Sequence, residues 1–181
     1  MKHILIITLI LLTLFGCQKI DTLNDSDKID LIPFIIKEHT IGCLYNKPIK
    51  VNNSDSLLYY ISLYPERIQK VNRLNPFIDF NKIFKKDDIV NYENQIKSFD
   101  TTLEYNHIIK SDIHFFTDND TILDCQTRYY ISYPLFNSKK NALIVYLSYY
   151  SGPLSAGDMV LFYVKRFGKW DCLEKIMLSI S

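Results

Sequence analysis

Cysteine offers the most chemistry in this chain, with Cys17, Cys43, Cys125 and Cys172 spread over 181 residues. No C-x-x-C pair occurs, so neither a zinc ribbon nor a thioredoxin-like redox pair is indicated. Setting Cys17 aside leaves an odd number of thiols, enough for one disulfide and one free thiol. Cys125 with Cys172 is the expected pair, because both fall in or beside predicted strands; buried free thiols are the alternative. His39, His107 and His114 show no H-x-x-x-H spacing, so no metal is expected. His114 falls in a predicted strand and reads as a structural residue. Asp118-Asn119-Asp120 opens like a calcium loop, but Leu123 stands where a glycine is needed and Tyr129 where a bidentate glutamate is needed. A polar turn explains it better.

Asp112, Asp124, Asp158 and Glu174 could supply a carboxylate pair, as could any domain of this size. There is no G-x-S-x-G and no phosphate-cradling glycine loop, and no cofactor is expected. The remaining signal is aromatic: 13 Tyr and 11 Phe against 1 Trp and 5 Gly. Tyr129, Tyr130, Tyr133, Tyr146, Tyr149, Tyr150 and Tyr163 crowd adjacent predicted strands, and alternation turns some of them away from the main core. Exposed tyrosines give rigid amphipathic area for protein or glycan contact. The expected binding surface is Tyr130, Tyr146 and Tyr150 with Asp158 and the Ser151–Asp158 loop. A second packing layer is the competing explanation.

The elements that must position these residues change character along the chain. Pro33 opens a short helix through Ile35, Ile36 and His39. Ser54 or Asp55 caps another, with Leu57, Leu58, Ile61 and Tyr64 at helical spacing before Pro65. Asp87 and Asp88 start a helix to about Ser98. From Ser111 the apolar period becomes two. Strands are expected at Ile113–Phe116, Arg128–Phe136, Ala142–Tyr150, Met159–Phe167 and Trp170–Ile180, with a turn at Asn137–Asn141, a loop holding Gly152, Pro153 and Gly157, and a tight turn at Gly168. Leu143, Val145 and Leu147 would line one face and Val160, Phe162 and Val164 another, so both sides of the sheet are partly apolar. The expected class is α+β: N-terminal helices packed on an antiparallel meander of four to five strands, with an outline similar to cone-shaped α+β folds.

The N-terminus carries an address. Met1-Lys2-His3 precedes an apolar run from Ile4 to Phe15, broken only by Thr8 and Thr13. At about 1.5 Å per residue this run spans about 18 Å, short of a hydrocarbon core of about 30 Å. It ends at Leu14-Phe15-Gly16-Cys17, which resembles the lipobox of bacterial lipoproteins. That resemblance implies cleavage before Cys17, acylation of its sulfur and a lipid anchor without a spanning helix. Gln18, where some lipoproteins carry an inner-membrane Asp, implies an outer-membrane address. Residues 1–16 then form the signal, 17–28 a polar tether and 29–181 one domain. Cleavage removes Lys2 and no acid, so 21 basic residues against 20 acidic become 20 against 20. A neutral domain is a poor match for nucleic acid. No run of Lys or Arg exceeds two, which argues against a lipid-headgroup patch.

Further along, Ser132-Tyr133-Pro134-Leu135-Phe136, the Gly152–Gly157 stretch and Lys165-Arg166-Phe167-Gly168-Lys169-Trp170 resemble the C-terminal half of small Bacteroidota lipoproteins of unassigned function. The resemblance implies a fold and a habitat and supplies no catalytic residues. The sequence thus points to an exported lipoprotein of the cell envelope, read as a non-catalytic binding module. A small hydrolase using carboxylates, His107 or His114 in a cone-like cavity and a toxin-immunity lipoprotein are the alternatives.

Overall fold

The computed structural model describes residues 20–51, 80–85, 88–98, 102–109, 112–120 and 125–180. The expected signal, Cys17 and the helix expected between Ser54 and Tyr64 lie outside the described residues. Among the described residues no helix is long and apolar enough to cross a membrane.

The first helix, α1, runs over Asp25–Glu38 and so begins well before Pro33. A reciprocal cap sets its start. The Asn24 side chain accepts from Ser26 N–H at 2.9 Å, and Asp27 Oδ2 accepts from Asn24 N–H at 2.8 Å. Pro33 sits inside the helix on its exposed side, where the missing N–H is tolerated. The helix stops in a Schellman motif: Thr40 is left-handed at φ 51°, and Ile41 N–H reaches Ile36 O at 2.9 Å. The expected tether to residue 28 is corrected here. Ile20 bridges to Arg166, Leu23 is buried, and Asp27 and Lys28 are buried in the first turn of α1. A cap formed by side chains three residues apart gives no hydrophobic period, which is why composition alone read this stretch as a linker.

The other described helices are α2 (Phe80–Ile83), α3 (Asp88–Lys97) and α4 (Tyr105–Ile108). The strands are β1 (Cys43–Tyr45), β2 (His114–Phe116), β3 (Arg128–Ile131), β4 (Leu135–Phe136), β5 (Ala142–Gly152), β6 (Ser155–Arg166) and β7 (Lys169–Ile180). They form one mixed sheet in the order β2-β1-β3-β5-β6-β7, with β4 also paired to β5. This corrects the four-to-five-strand meander. β4, β5, β6 and β7 run as successive antiparallel hairpins and β3 also pairs antiparallel with β5, while β1 lies parallel to both β2 and β3. A three-residue strand carries too short a period to be read from sequence.

The expected strand Arg128–Phe136 divides at Ser132–Pro134. Pro134 has no N–H to donate, and Ser132 serves Tyr146 twice: its N–H donates to Tyr146 O at 2.9 Å and its hydroxyl accepts from Tyr146 N–H at 2.9 Å. The expected Gly152–Gly157 loop is only a tight turn at Pro153–Leu154. Gly157 lies within β6, where a Cβ would stand 2.7 Å from the Tyr149 hydroxyl.

Both faces of the sheet are covered by apolar side chains. Leu143, Val145, Leu161 and Tyr163 share a cluster with Leu31, Ile32 and Ile35 of α1 and Tyr105 of α4. Ala142, Ile144, Val160 and Phe162 share the other with Phe84 and with Tyr92 and Ile96 of α3. Asp88 is 1% exposed and anchors α3 to the β4–β5 turn, accepting from Ser138 N–H at 2.8 Å and Lys85 N–H at 2.9 Å.

Candidate functional site

Strand alternation divides the tyrosines. Leu44, Phe115, Tyr129, Ile131 and Leu147 belong to the α1 side. Their neighbours Tyr45, Phe116, Arg128, Tyr130, Tyr146, Ser148 and Tyr150 therefore stand on the other face. The pairing Tyr130↔Ser148, Ser148↔Asp158, Asp158↔Ser179 draws one row across β3, β5, β6 and β7. Tyr150 stands opposite Arg128. The expected set of Tyr130, Tyr146, Tyr150 and Asp158 is thus gathered on a single face.

Two clusters build this face. The first is aromatic. Tyr45, Phe116 and Tyr130 surround one another with ring centroids 5.6 Å (Tyr45–Phe116), 5.5 Å (Tyr45–Tyr130) and 5.4 Å (Phe116–Tyr130) apart. Arg128 Cζ lies 5.8 Å from the Phe116 ring. Tyr45 donates its hydroxyl to Asp118 Oδ2 at 2.8 Å, and this bond, with burial, pushes its phenol up to about 12.

The second cluster centres on Asp158. Burial alone would raise its carboxyl, but donation from the hydroxyls of Tyr146, Ser179 and Ser148 outweighs that and holds it below the ordinary value. The Ser179 hydroxyl lies 2.7 Å from Asp158 Oδ2. Tyr146 is raised by burial and by its bond to Asp158, so it stays a neutral donor. Tyr150, 42% exposed, ends the row toward solvent. The arrangement presents flat rings beside an ionised, oriented carboxylate and several hydroxyls.

Sequence reasoning missed Tyr45, Phe116 and Arg128. Phe116 was within an expected strand, but its neighbours depend on β1 standing between β2 and β3. Tyr129 and Tyr149 face the other way, with rings 6.3 Å apart. Tyr163 is fully buried, donating to Glu38 Oε2 at 2.9 Å, and so is core.

The disulfide joins Cys43 to Cys125, with Cα atoms 5.9 Å apart, and leaves Cys172 free. The expected Cys125–Cys172 pairing is therefore corrected. Cys125 lies just before β3, next to β1, whereas Cys172 lies on β7 beyond β5 and β6. Three strand spacings amount to about 14 Å, too far for a bridge. Cys172 is pushed up to about 11, first by burial and then by Glu38, and its thiol donates to Glu174 O at 3.5 Å. It is a poor nucleophile.

Of the two remaining histidines, His114 is exposed on β2, where alternation with Phe115 puts it on the same face as Phe116, and His107 is exposed with Nε2 3.6 Å from Glu104. Among the described residues no group of three or more His, Cys, Asp or Glu side chains could hold a metal. Asp120 closes the Thr117–Asp120 turn, accepting from Thr117 N–H at 2.6 Å, as a polar turn requires. Two hollows beside Tyr133, each about 10 Å³, are lined by no histidine or carboxylate. That is about the room of one water. No family model, no curated protein and no solved structure matches this chain.

Proposed function

We propose that the protein is exported and held in the cell envelope, at an outer membrane, by acyl chains on Cys17, and that it works there as a non-catalytic binding module for a protein or glycan. The observation that carries the binding reading is the shared face of Tyr130, Tyr146, Tyr150 and Asp158, extended by Tyr45, Phe116 and Arg128. Export is supported by the Cys43–Cys125 disulfide, a bond that persists in oxidising compartments. The finer fold reading, an N-terminal helix laid on the sheet, draws support from the edge-on contact of Phe34 with Tyr163 at 6.0 Å.

A photo-crosslinking residue placed at Tyr150 tests the binding reading in intact cells. It should give a discrete adduct, while the same residue at Val90, 63% exposed on α3, should give none. No adduct at position 150, or the same adduct from both positions, would overturn it. Replacing Tyr150 by Ala should abolish capture of that partner while changing stability by less than about 0.5 kcal/mol.

A further inference from the structure

One end of the sheet gathers basic residues that are scattered in sequence. The Asn137–Asn141 turn and the Phe167–Gly168 turn lie side by side there, because Ala142 at the start of β5 pairs with Val164 near the end of β6. Exposed Lys139 and Lys140 come from the first turn, exposed Lys169 and half-buried Arg166 flank the second, and exposed Lys85 reaches the same corner through Asp88. Of the nearby carboxylates, Asp25 is exposed beside Lys28, and three others are engaged by neighbouring groups. Asp21 accepts from Gly168 N–H at 2.9 Å, Asp27 binds Lys165 at 2.6 Å, and Asp171 binds Arg166. What this end offers outward is chiefly positive, although the chain as a whole is close to neutral.

Phe167 tips this end. It is 76% exposed and held left-handed at φ 52°, a conformation that a bulky side chain rarely adopts. Leu154 at the opposite end is 92% exposed, but its turn (Gly152-Pro153-Leu154-Ser155) carries no basic residue. The N-terminal segment crosses the basic end as well. Ile20 bridges Arg166, Asp21 N–H donates to Lys165 O at 2.8 Å, and Leu23 N–H donates to Lys140 O at 2.6 Å. Ile20 is three residues after Cys17, a reach of about 10 Å for extended chain.

We propose that this end, the Arg166–Lys169 hairpin tip with the Asn137–Asn141 turn, rests on an anionic phospholipid bilayer, with Phe167 set into the headgroup layer. The proposal rests on acylation at Cys17. A lipid anchor joined so close to Ile20 leaves the domain little freedom to present any other end. The lysines supply the second, electrostatic contact that makes a lipid anchor firm. The Tyr150 end of the sheet then points away from the membrane, toward a partner.

The test uses the full acylated chain in vesicles of phosphatidylglycerol and phosphatidylcholine with brominated acyl chains. Trp170→Phe clears the background, and Phe167→Trp or Leu154→Trp installs the reporter. Tryptophan at 167 should be quenched and tryptophan at 154 should not. An unquenched 167, or equal quenching at both positions, overturns the proposal. Quenching at 167 should weaken when Lys139, Lys140 and Lys169 are changed to Glu, and in vesicles of phosphatidylcholine alone; unchanged quenching overturns the role of charge. Phe167→Gly suits the left-handed turn, so this variant should fold at least as well yet associate more loosely with the vesicles; association as firm as the parent's counts against the proposal. Intact mass separates the two ideas. An unacylated chain sinks both, whereas an acylated chain unquenched at 167 sinks only the bilayer-facing end.

Discussion

Gln95 closes both backbone hydrogen-bonding groups of Phe136: Nε2 donates to the Phe136 carbonyl at 2.8 Å, and Oε1 accepts the Phe136 N–H at 2.9 Å. A helix side chain thereby completes the pairing of the two-residue strand β4, and Asn91 Nδ2 adds a second donor to the same carbonyl at 2.8 Å. Replacing Gln95 by Ala leaves the buried N–H unpaired, which costs about 2 kcal/mol. Urea unfolding of Gln95→Ala should show that loss, with Gln95→Leu no better, because shape without hydrogen bonds does not satisfy Phe136. Parent-like stability in either variant would refute this role.

Reducing the Cys43–Cys125 bond, which spans 82 residues of sequence, should lower stability by about 4 kcal/mol in the chain-entropy account. Thermal unfolding with and without reductant measures it. Cys172→Ala should leave the effect of reductant intact. Under native, oxidised conditions Cys172 should react with iodoacetamide only slowly near neutral pH, since its thiol lies at about 11.

His39 predicts how stability changes with acid. Burial, then Lys175, lowers its folded pKa below the ordinary histidine value of 6.5, with Glu38 opposing. Below about 6.5 the unfolded chain binds the extra proton more readily, so stability falls as pH drops through that range. Above it the imidazole is neutral in both states and contributes no slope. Comparing His39→Gln with the parent between mildly acidic and neutral pH should show a flatter profile in the variant. An identical slope would remove His39 from the explanation.

Tyr92 is fully buried on α3, and its hydroxyl has no hydrogen-bond partner among the described residues. Tyr92→Phe removes a desolvated polar group and keeps the ring against the sheet. Stability should stay level or rise by about 1 kcal/mol. A drop of similar size in denaturant unfolding would show that the hydroxyl has a partner.

The long hairpins were legible from the residues. Val160, Phe162 and Val164 alternate with Leu161 and Tyr163, and both sets are buried, as a sheet covered on both faces demands. That Tyr146 and Tyr150 share a face was legible for the same reason, since both lie on one long strand, whereas Asp158, expected in a loop, and Tyr130 join them only through the register between strands. The start of α1 was hidden because a capping box is a local side-chain exchange with no apolar period.

The middles of the long strands, the two-sided apolar sheet and the apolar N-terminal run ending at a cysteine follow from order along the chain, because each depends on neighbours a few residues apart. The partner of Cys125, the rings around Tyr130 and the basic corner formed by Lys139, Lys140 and Lys169 follow from the order of strands in space. No run of basic residues in the sequence exceeds two, yet two adjacent turns bring them to one end. Charge and disulfide pairing act over ångströms between folded segments, so only the tertiary structure decides them.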